Sequence, residues 1–158
     1  MKIKLRTLSI MTCDFNKKKH YRFIKDMKED QLIRKFVPNE IEKELSLSKE
    51  DRQIEIGSSY IVVEDKKLIG YIRFKELNES GILTLNYGVH PDLRRKGYGT
   101  KILKEVSDYT FKSIDNVDEI KLYIRSINKG SIKCALNANF YQQNNGLVEE
   151  PLIYVKTK

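Results

Sequence analysis

Residues 94–99 read RRKGYG, three cationic side chains and then two glycines one residue apart, ahead of a stretch with helical apolar spacing. Such a junction is suited to holding an anion. The first N–H groups of a helix have no partner within it and carry the positive end of the helix dipole. Glycine at 97 and 99 removes side chains that would keep a phosphate from the backbone, and allows φ > 0 where the loop bends. Arg94, Arg95 and Lys96 add full charges to those partial ones. If about three N–H groups reach one diphosphate, bonds of roughly 1.5–3 kcal/mol each form an anchor, before binding entropy is subtracted. A second polar pair, Asn128 and Ser131, opens another short helical stretch, where by itself it reads as an N-cap region.

These residues need a scaffold. The segment ILTLNYGVH reads as a strand that stops at Pro91, because proline cannot donate to a ladder. Beyond the loop, Ile102, Leu103, Val106, Tyr109 and Phe111 recur at roughly helical spacing and predict a helix over 98–112. Upstream, residues 2–9 read as a strand, and 14–30 as a helix carrying Phe15, Tyr21, Ile24 and Met27 near one side. Pro38-Asn39 opens a second helix through Ile41 and Leu45. SSYIVVEDKKLIGYIRFKEL reads as a hairpin about its EDKK turn. EIKLYIRS at 119–126 is a further strand, 129–138 a short helix, and VEE and LIYVKT around Pro151 a closing pair of strands. The order β-α-α-β-β-β-α-β-α-β-β describes an α+β chain, a mixed α/β sandwich with helices on the faces of its sheet.

Composition bounds the function. A chain of 158 residues, 40% hydrophobic and 33% charged, fits one globular domain over 1–158 that buries its core without metal or disulfide staples. No window approaches the roughly 18 apolar residues of a membrane span. The first residues alternate Ile3, Leu5 and Leu8 with polar positions, as a strand does and a signal peptide does not, so a cytoplasmic location and no membrane partner are expected. Cys13 and Cys134, with only His20 and His90, make no zinc spacing and read as reduced, structural thiols; no metal is expected. The net charge of +8 points to an anionic partner, which nucleic acid, an acidic protein and a phosphorylated cofactor would all satisfy.

The loop itself narrows that choice. GYGTK lacks the Walker pattern, and no third glycine follows Gly99 at the spacing of a dinucleotide fingerprint. VHPDLRRKGYGTKIL closely resembles the acetyl-CoA loop of the GNAT superfamily of N-acetyltransferases, where a strand ending near a proline leads into Arg/Gln-x-x-Gly-x-Gly/Ala. IKLYIRSINKGSIKCALNANF is similar to the family's later strand and helix, with Asn128-x-x-Ser131 in place and Asn139-Phe140 where the family has Gly-Phe. Asparagine tolerates the left-handed conformation, so the helix cap can survive. The resemblance spans about residues 54–141, and the Asn-x-x-Ser form is similar to the branch that includes ribosomal-protein N-terminal acetyltransferases. It implies a mainly antiparallel sheet of six or seven strands with helices on both faces, acetyl-CoA as donor and coenzyme A as product. It also implies main-chain bonds from Val89 to the pantetheine arm, a phosphate cradle of Arg94, Arg95, Lys96, Gly97, Tyr98, Gly99 and Thr100, and cofactor contacts at Asn128 and Ser131.

The departures bear on catalysis. Many relatives place a proton-donating tyrosine where this chain has Ala135, and some a glutamate where it has Thr84. Ser131 is then the nearest hydroxyl for the leaving sulfur and the expected catalytic residue, with Tyr141 beyond the helix. Candidates for a base are Glu64, Glu76 and Glu79, Asn86 or Tyr87 through a water, or none if the amine arrives unprotonated. A main-chain N–H around Gly88 to Val89 would stabilise the developing oxyanion. His90 reads as a surface or cofactor-edge residue and Cys134 as core. The acceptor would be a primary amine of a small molecule or protein, and residues 12–53 and 140–151 carry no motif that names it. A non-catalytic acyl-CoA sensor, a basic RNA- or ribosome-binding protein and a homodimer stay open.

Overall fold

In a computed structural model, residues 2–14, 16–31, 54–144 and 150–158 are described. The helix expected from Pro38 lies outside them, as do Phe15 and Val148-Glu149 of the expected closing strands. The strands are β1 (Lys2–Lys4), β2 (Ser9–Met11), β3 (Ser59–Glu64), β4 (Lys67–Leu77), β5 (Ile82–Val89), β6 (Glu119–Ile124), β7 (Tyr141–Gln142) and β8 (Leu152–Thr157). The helices are α1 (Lys18–Glu29), α2 (Tyr98–Ser113) and α3 (Lys129–Asn137), with a 3-10 turn at Pro91–Leu93. All eight strands join one sheet in the order β1-β2-β3-β4-β5-β6-β8-β7. Among the described residues, only β5 and β6 run parallel.

The sheet has eight strands where six or seven were expected, for two reasons. Residues 2–9 are not one strand: the chain reverses between β1 and β2, and Ile3 faces Ile10 in an antiparallel pair. What holds the reversal is remote in sequence. The Glu105 carboxylate on α2 accepts the backbone N–H of Thr7 at 2.8 Å, that of Leu8 at 2.9 Å, and the Thr7 hydroxyl. The other reason is β7, which pairs Tyr141 with Val155 and takes the place next to β8 expected of VEE, whose Glu150 is a bend.

Local chemistry accounts for the remaining elements. Asp65 and Lys66 both take positive φ, 43° and 67°, the mirror-image turn that matches strand twist in a two-residue hairpin. Helix α1 begins at Lys18, later than expected, because Asp14 first folds the chain on itself, accepting from the Asn16 N–H with its side chain and from the Lys17 N–H with its carbonyl. Its buried face is His20, Phe23, Ile24 and Met27, while Tyr21 points to solvent. Helix α3 ends as the asparagine predicts. Asn139 takes φ 65°, the Phe140 N–H reaches the Ala135 carbonyl and the Asn139 N–H that of Leu136, a Schellman cap built without glycine.

Two apolar clusters sandwich the sheet. Phe23, Ile24 and Met27 of α1 pack on Ile61, Val63, Leu68 and Tyr71. On the other face, Ile102, Leu103 and Val106 of α2 and Ala135 of α3 close over Tyr60, Val62, Ile72, Phe74, Leu83, Leu85, Ile120 and Leu122. At the contact of α2 with α3, a Cβ added to Gly99 would lie 2.6 Å from the Cys134 Sγ and 3.5 Å from the Tyr87 ring. Gly99 is therefore a packing glycine.

The carboxyl of Glu105 is pushed up by burial but pulled further down by its bonds to Thr7 and Leu8 and by Lys101, so its ionisation lies below the ordinary range. A depressed carboxylate contributes stability that is complete above the unfolded value of about 4.3 and is lost as pH falls through the folded one. Glu105→Ala should cost about 2–4 kcal/mol in urea unfolding at pH 7, and should flatten the loss of stability that wild type shows below about pH 4. Gly99→Ala should cost about 1–3 kcal/mol by overpacking. Part of that loss should return in Gly99→Ala/Cys134→Ala, read in the same experiment.

Candidate functional site

Strand β5 is paired along one edge to β4 from Leu83 to Val89, but to β6 only at Ile82, Leu83 and Thr84. Past the Thr84–Lys121 rung the two parallel strands part. On the β4 edge the His90 N–H donates to the Ile69 carbonyl at 2.7 Å. Backbone groups alternate direction along a strand, so the N–H groups of Val89 and Tyr87 face the opening that β6 leaves. Of the residues around Gly88 to Val89, Val89 thus turns its N–H to the opening, as Tyr87 does, and Gly88 turns its own to β4. Gly88 is needed for another reason, since a Cβ there would strike the Tyr71 ring at 2.4 Å.

The loop beyond β5 brings the N-terminus of α2 to the mouth of this opening. Gly97 is the N-cap, at φ 80°, with no side chain bonded to the helix end and nothing within 4 Å of an added Cβ. Arg95 is also left-handed, at φ 60°. Left-handed residues in a loop turn successive N–H groups toward one concave side. Arg95 and Lys96 are exposed and pair with no described residue. The two glycines thus differ in role: Gly97 leaves the backbone open, whereas Gly99 is buried beneath α3.

Arg94 has a partner within the protein. Its guanidinium grips the Asp30 carboxylate with both arms, at 2.9 and 2.6 Å, so its charge is largely met within the protein. One helical turn earlier, Asp26 lies 3.4 Å from His90 Nε2, and the Phe23 ring stacks on the His90 imidazole at 5.4 Å. The end of α1 therefore holds both ends of the Pro91–Leu93 turn. A cavity of about 630 Å³ lies at this seam, lined by Asp26, Glu29, Asp30 and Asp92 together with Arg22 and His90.

On the far side of the opening, the Asn128 side chain caps α3 by accepting from the Ser131 N–H at 3.2 Å. Ser131 and Cys134, on successive turns of one helix face, are the polar neighbours of the Tyr87 hydroxyl. That hydroxyl is buried within bonding reach of both, yet makes no well-formed hydrogen bond to either. Its proton is held well above the ordinary phenol range by burial first and then by Cys134, with Ser131 opposing. Ala135 is fully buried in the core, and Tyr141 is exposed on β7 at the sheet's edge, two strands beyond β6.

The candidate bases fare unequally. Glu64 is bound by Lys101 and by the Tyr98 hydroxyl, and the Lys101 bond, ahead of opposing burial and of Tyr98, lowers its affinity for a proton. Glu76 pairs with Thr84 at the closed end of the opening, and Glu79 lies in the turn before β5. Asn86 and Tyr87 are on the parted stretch of β5. Cys13 has its pKa raised to about 11, by burial and then Asp14, so it is an unreactive thiol at neutral pH. Sequence reasoning did not foresee Asp26 or Asp30 as partners of the loop; Asp26 lies on α1 and Asp30 caps its end, where the carboxylates of KEDQ read only as a possible hold for a cationic amine.

Among the described residues, no helix is long and apolar enough to cross a membrane. No curated protein sequence matches the chain. Solved structures do: an acetyltransferase (GNAT family) from Bacillus anthracis, 17% identical, with a TM-score of 0.74 over 99% of this chain and 98% of that one. The aminoglycoside acetyltransferase AAC(6')-Ib in complex with coenzyme A is 18% identical, with a TM-score of 0.72 over 96% and 94%. A structure described as a ribosomal-protein-serine acetyltransferase from Vibrio cholerae is 14% identical, with a TM-score of 0.68 over 100% and 98%. These likenesses establish the fold. A family model, Acetyltransferase (GNAT) family, matches residues 23–140. With three quarters of its length inside that match, the chain belongs to the GNAT acetyltransferase family.

Proposed function

We propose that this chain, as one domain, is an acetyl-CoA-dependent N-acetyltransferase that moves an acetyl group directly to a primary amine. The observation that carries the reading is a meeting of two features: main-chain donors at Tyr87 and Val89 released from the ladder, and the uncapped start of α2 at Gly97. Acetyl-CoA supplies the activated acetyl group. The open space at Gly97 fits the approach of a diphosphate to the backbone. Gly97, Tyr98, Gly99 and Thr100 would present their N–H groups to it. Arg95 and Lys96 would offset its charge, and Arg94 would fix the loop through Asp30. Val89 would bond the pantetheine arm, and the Tyr87 or Val89 N–H would meet the negative charge that grows on the carbonyl oxygen.

Asn128 would hold the start of α3 beside the opening, and the Ser131 hydroxyl would face the leaving sulfur. Since Glu64 is occupied and Glu76 and Glu79 sit at the closed end, the amine's proton would leave through a water on Asn86 or the amine would arrive neutral. The acidic lining of the cavity against α1, where Glu29 and Asp92 lie beside the Asp30–Arg94 and Asp26–His90 pairs, favours a cationic acceptor. Neighbouring folds named as aminoglycoside and spermidine acetyltransferases support that class. A second reading, an acyl-CoA-binding module without turnover, is favoured by Ala135, which leaves α3 without a tyrosine facing the cleft. An RNA-binding role loses support because Arg94 is tied to Asp30.

Coenzyme A release from acetyl-CoA, followed across spermidine, an aminoglycoside and peptide N-termini, should depend on one of these amines. Acetyl-CoA binding with no release for any amine would favour the binding module. Gly97→Glu should lower acetyl-CoA affinity by about a hundredfold or more in calorimetry, with its circular dichroism unchanged; unaltered affinity in that folded variant would refute the cradle. Ser131→Ala should lower kcat by about tenfold while KM for acetyl-CoA changes less.

A further inference from the structure

We infer that the Tyr87 hydroxyl donates a hydrogen bond to the thioester sulfur as it departs, working beside the Ser131 hydroxyl on a helix whose position 135 is an alanine buried in the core. The inference rests on the acetyltransferase reading and deepens it. Three observations converge on Tyr87. Its backbone lies on the parted stretch of β5, where its own N–H and that of Val89 face the opening. Its side chain rises on the other side of the strand from the Tyr71 ring and reaches Ser131 and Cys134 near the start of α3. Its oxygen is buried beside those two side chains and makes no well-formed bond to either.

That last fact is costly to a resting protein. A buried polar group without a bond forfeits its hydration, and phenylalanine would fill the same space without the penalty. The hydroxyl is explained by a partner that arrives. Acetyl-CoA held with its carbonyl oxygen on the Tyr87 or Val89 N–H would bring the sulfur, one bond from the carbonyl carbon, to the stretch of β5 that carries the Tyr87 side chain. In the transfer the N–C bond forms as the C–S bond breaks, with the electron pair left on sulfur and one amine proton passing to solvent. Tyr87 lends its O–H to that charge and keeps the proton, because burial makes the phenolate harder to form than the thiolate. The thiolate then takes a proton from water on release.

The test needs no acceptor. Ionisation of the bound coenzyme A thiol is followed by ultraviolet absorbance against the desulfo-coenzyme A complex, a blank that cancels Cys134 and the tyrosines. In wild type it should occur about one pH unit or more below its value in Tyr87→Phe. The cofactor-free variant should melt no lower than wild type, and with an accepted amine its kcat should fall about tenfold or more at little change in KM. Equal thiol titrations in two proteins that both bind coenzyme A overturn the inference. Failure of wild type to bind coenzyme A overturns the acetyltransferase reading itself, and the inference with it. Should Tyr87→Phe not fold, 3-fluorotyrosine at position 87, a more acidic phenol of nearly the same shape, should lower the thiol's ionisation further; no shift overturns the inference.

Discussion

Two parallel strands that pair for three rungs and then part set the terms for everything around them. A backbone N–H inside a sheet is ordinarily consumed by its neighbour, and leaving one unpaired in a protein's interior costs as much as a lost hydrogen bond. Beyond Thr84 and Lys121 this sheet accepts that cost along the edge of β5. The remaining architecture makes the exposure tolerable. β4 holds the other edge of β5 as far as Val89, the close approach of Gly70 to the Gly88 carbonyl draws the pair together, and α2 and α3 wall the gap. An edge kept rigid in this way is preorganised for a ligand's amides.

The second constraint is how the loop after β5 is held. A run of three cations would repel itself and drift if it were anchored only by its ends. Asp30 takes up one of the three, and Asp26 and Phe23 fix the histidine ahead of the turn, so the end of α1 serves as the loop's splint. The pair is half-sheltered, with Arg94 and Asp30 side chains 27% and 12% exposed, and its geometry is bidentate, the arrangement in which an ion pair specifies position as well as charge. The charge left for an anion in the proposed site would be that of Arg95, Lys96 and the helix end.

What could be read from the sequence was local. The loop pattern, the turn at Asp65-Lys66, the cap at Asn128 and the left-handed stop at Asn139 depend on residues within a few positions of one another, and each is where the pattern put it. What could not be read depends on pairs far apart in the chain. The β1–β2 reversal has no glycine or proline to announce it and hangs on Glu105; Arg94 looked free because its partner is 64 residues away. Gly99 shows the subtler failure. A motif glycine invites one explanation, and here the neighbouring helix, through Cys134, supplies a different one. The role proposed for Tyr87 was not legible because tyrosine on a strand is ordinary; only the burial of its oxygen distinguishes it.

Arg95 carries a last consequence. An L-residue with a branched-out side chain at φ 60° sits about 1–2 kcal/mol above its relaxed conformation, a strain glycine would avoid and asparagine would lessen. For a folded chain of ordinary stability, roughly 5–15 kcal/mol, that is a visible fraction. Selection for thermal robustness alone would replace this arginine early, and a more heat-resistant version of the protein obtained that way would lose a charge from the loop. If Arg95 serves the cofactor as proposed, position 95 is a place where durability and ligand affinity pull a single residue in opposite directions.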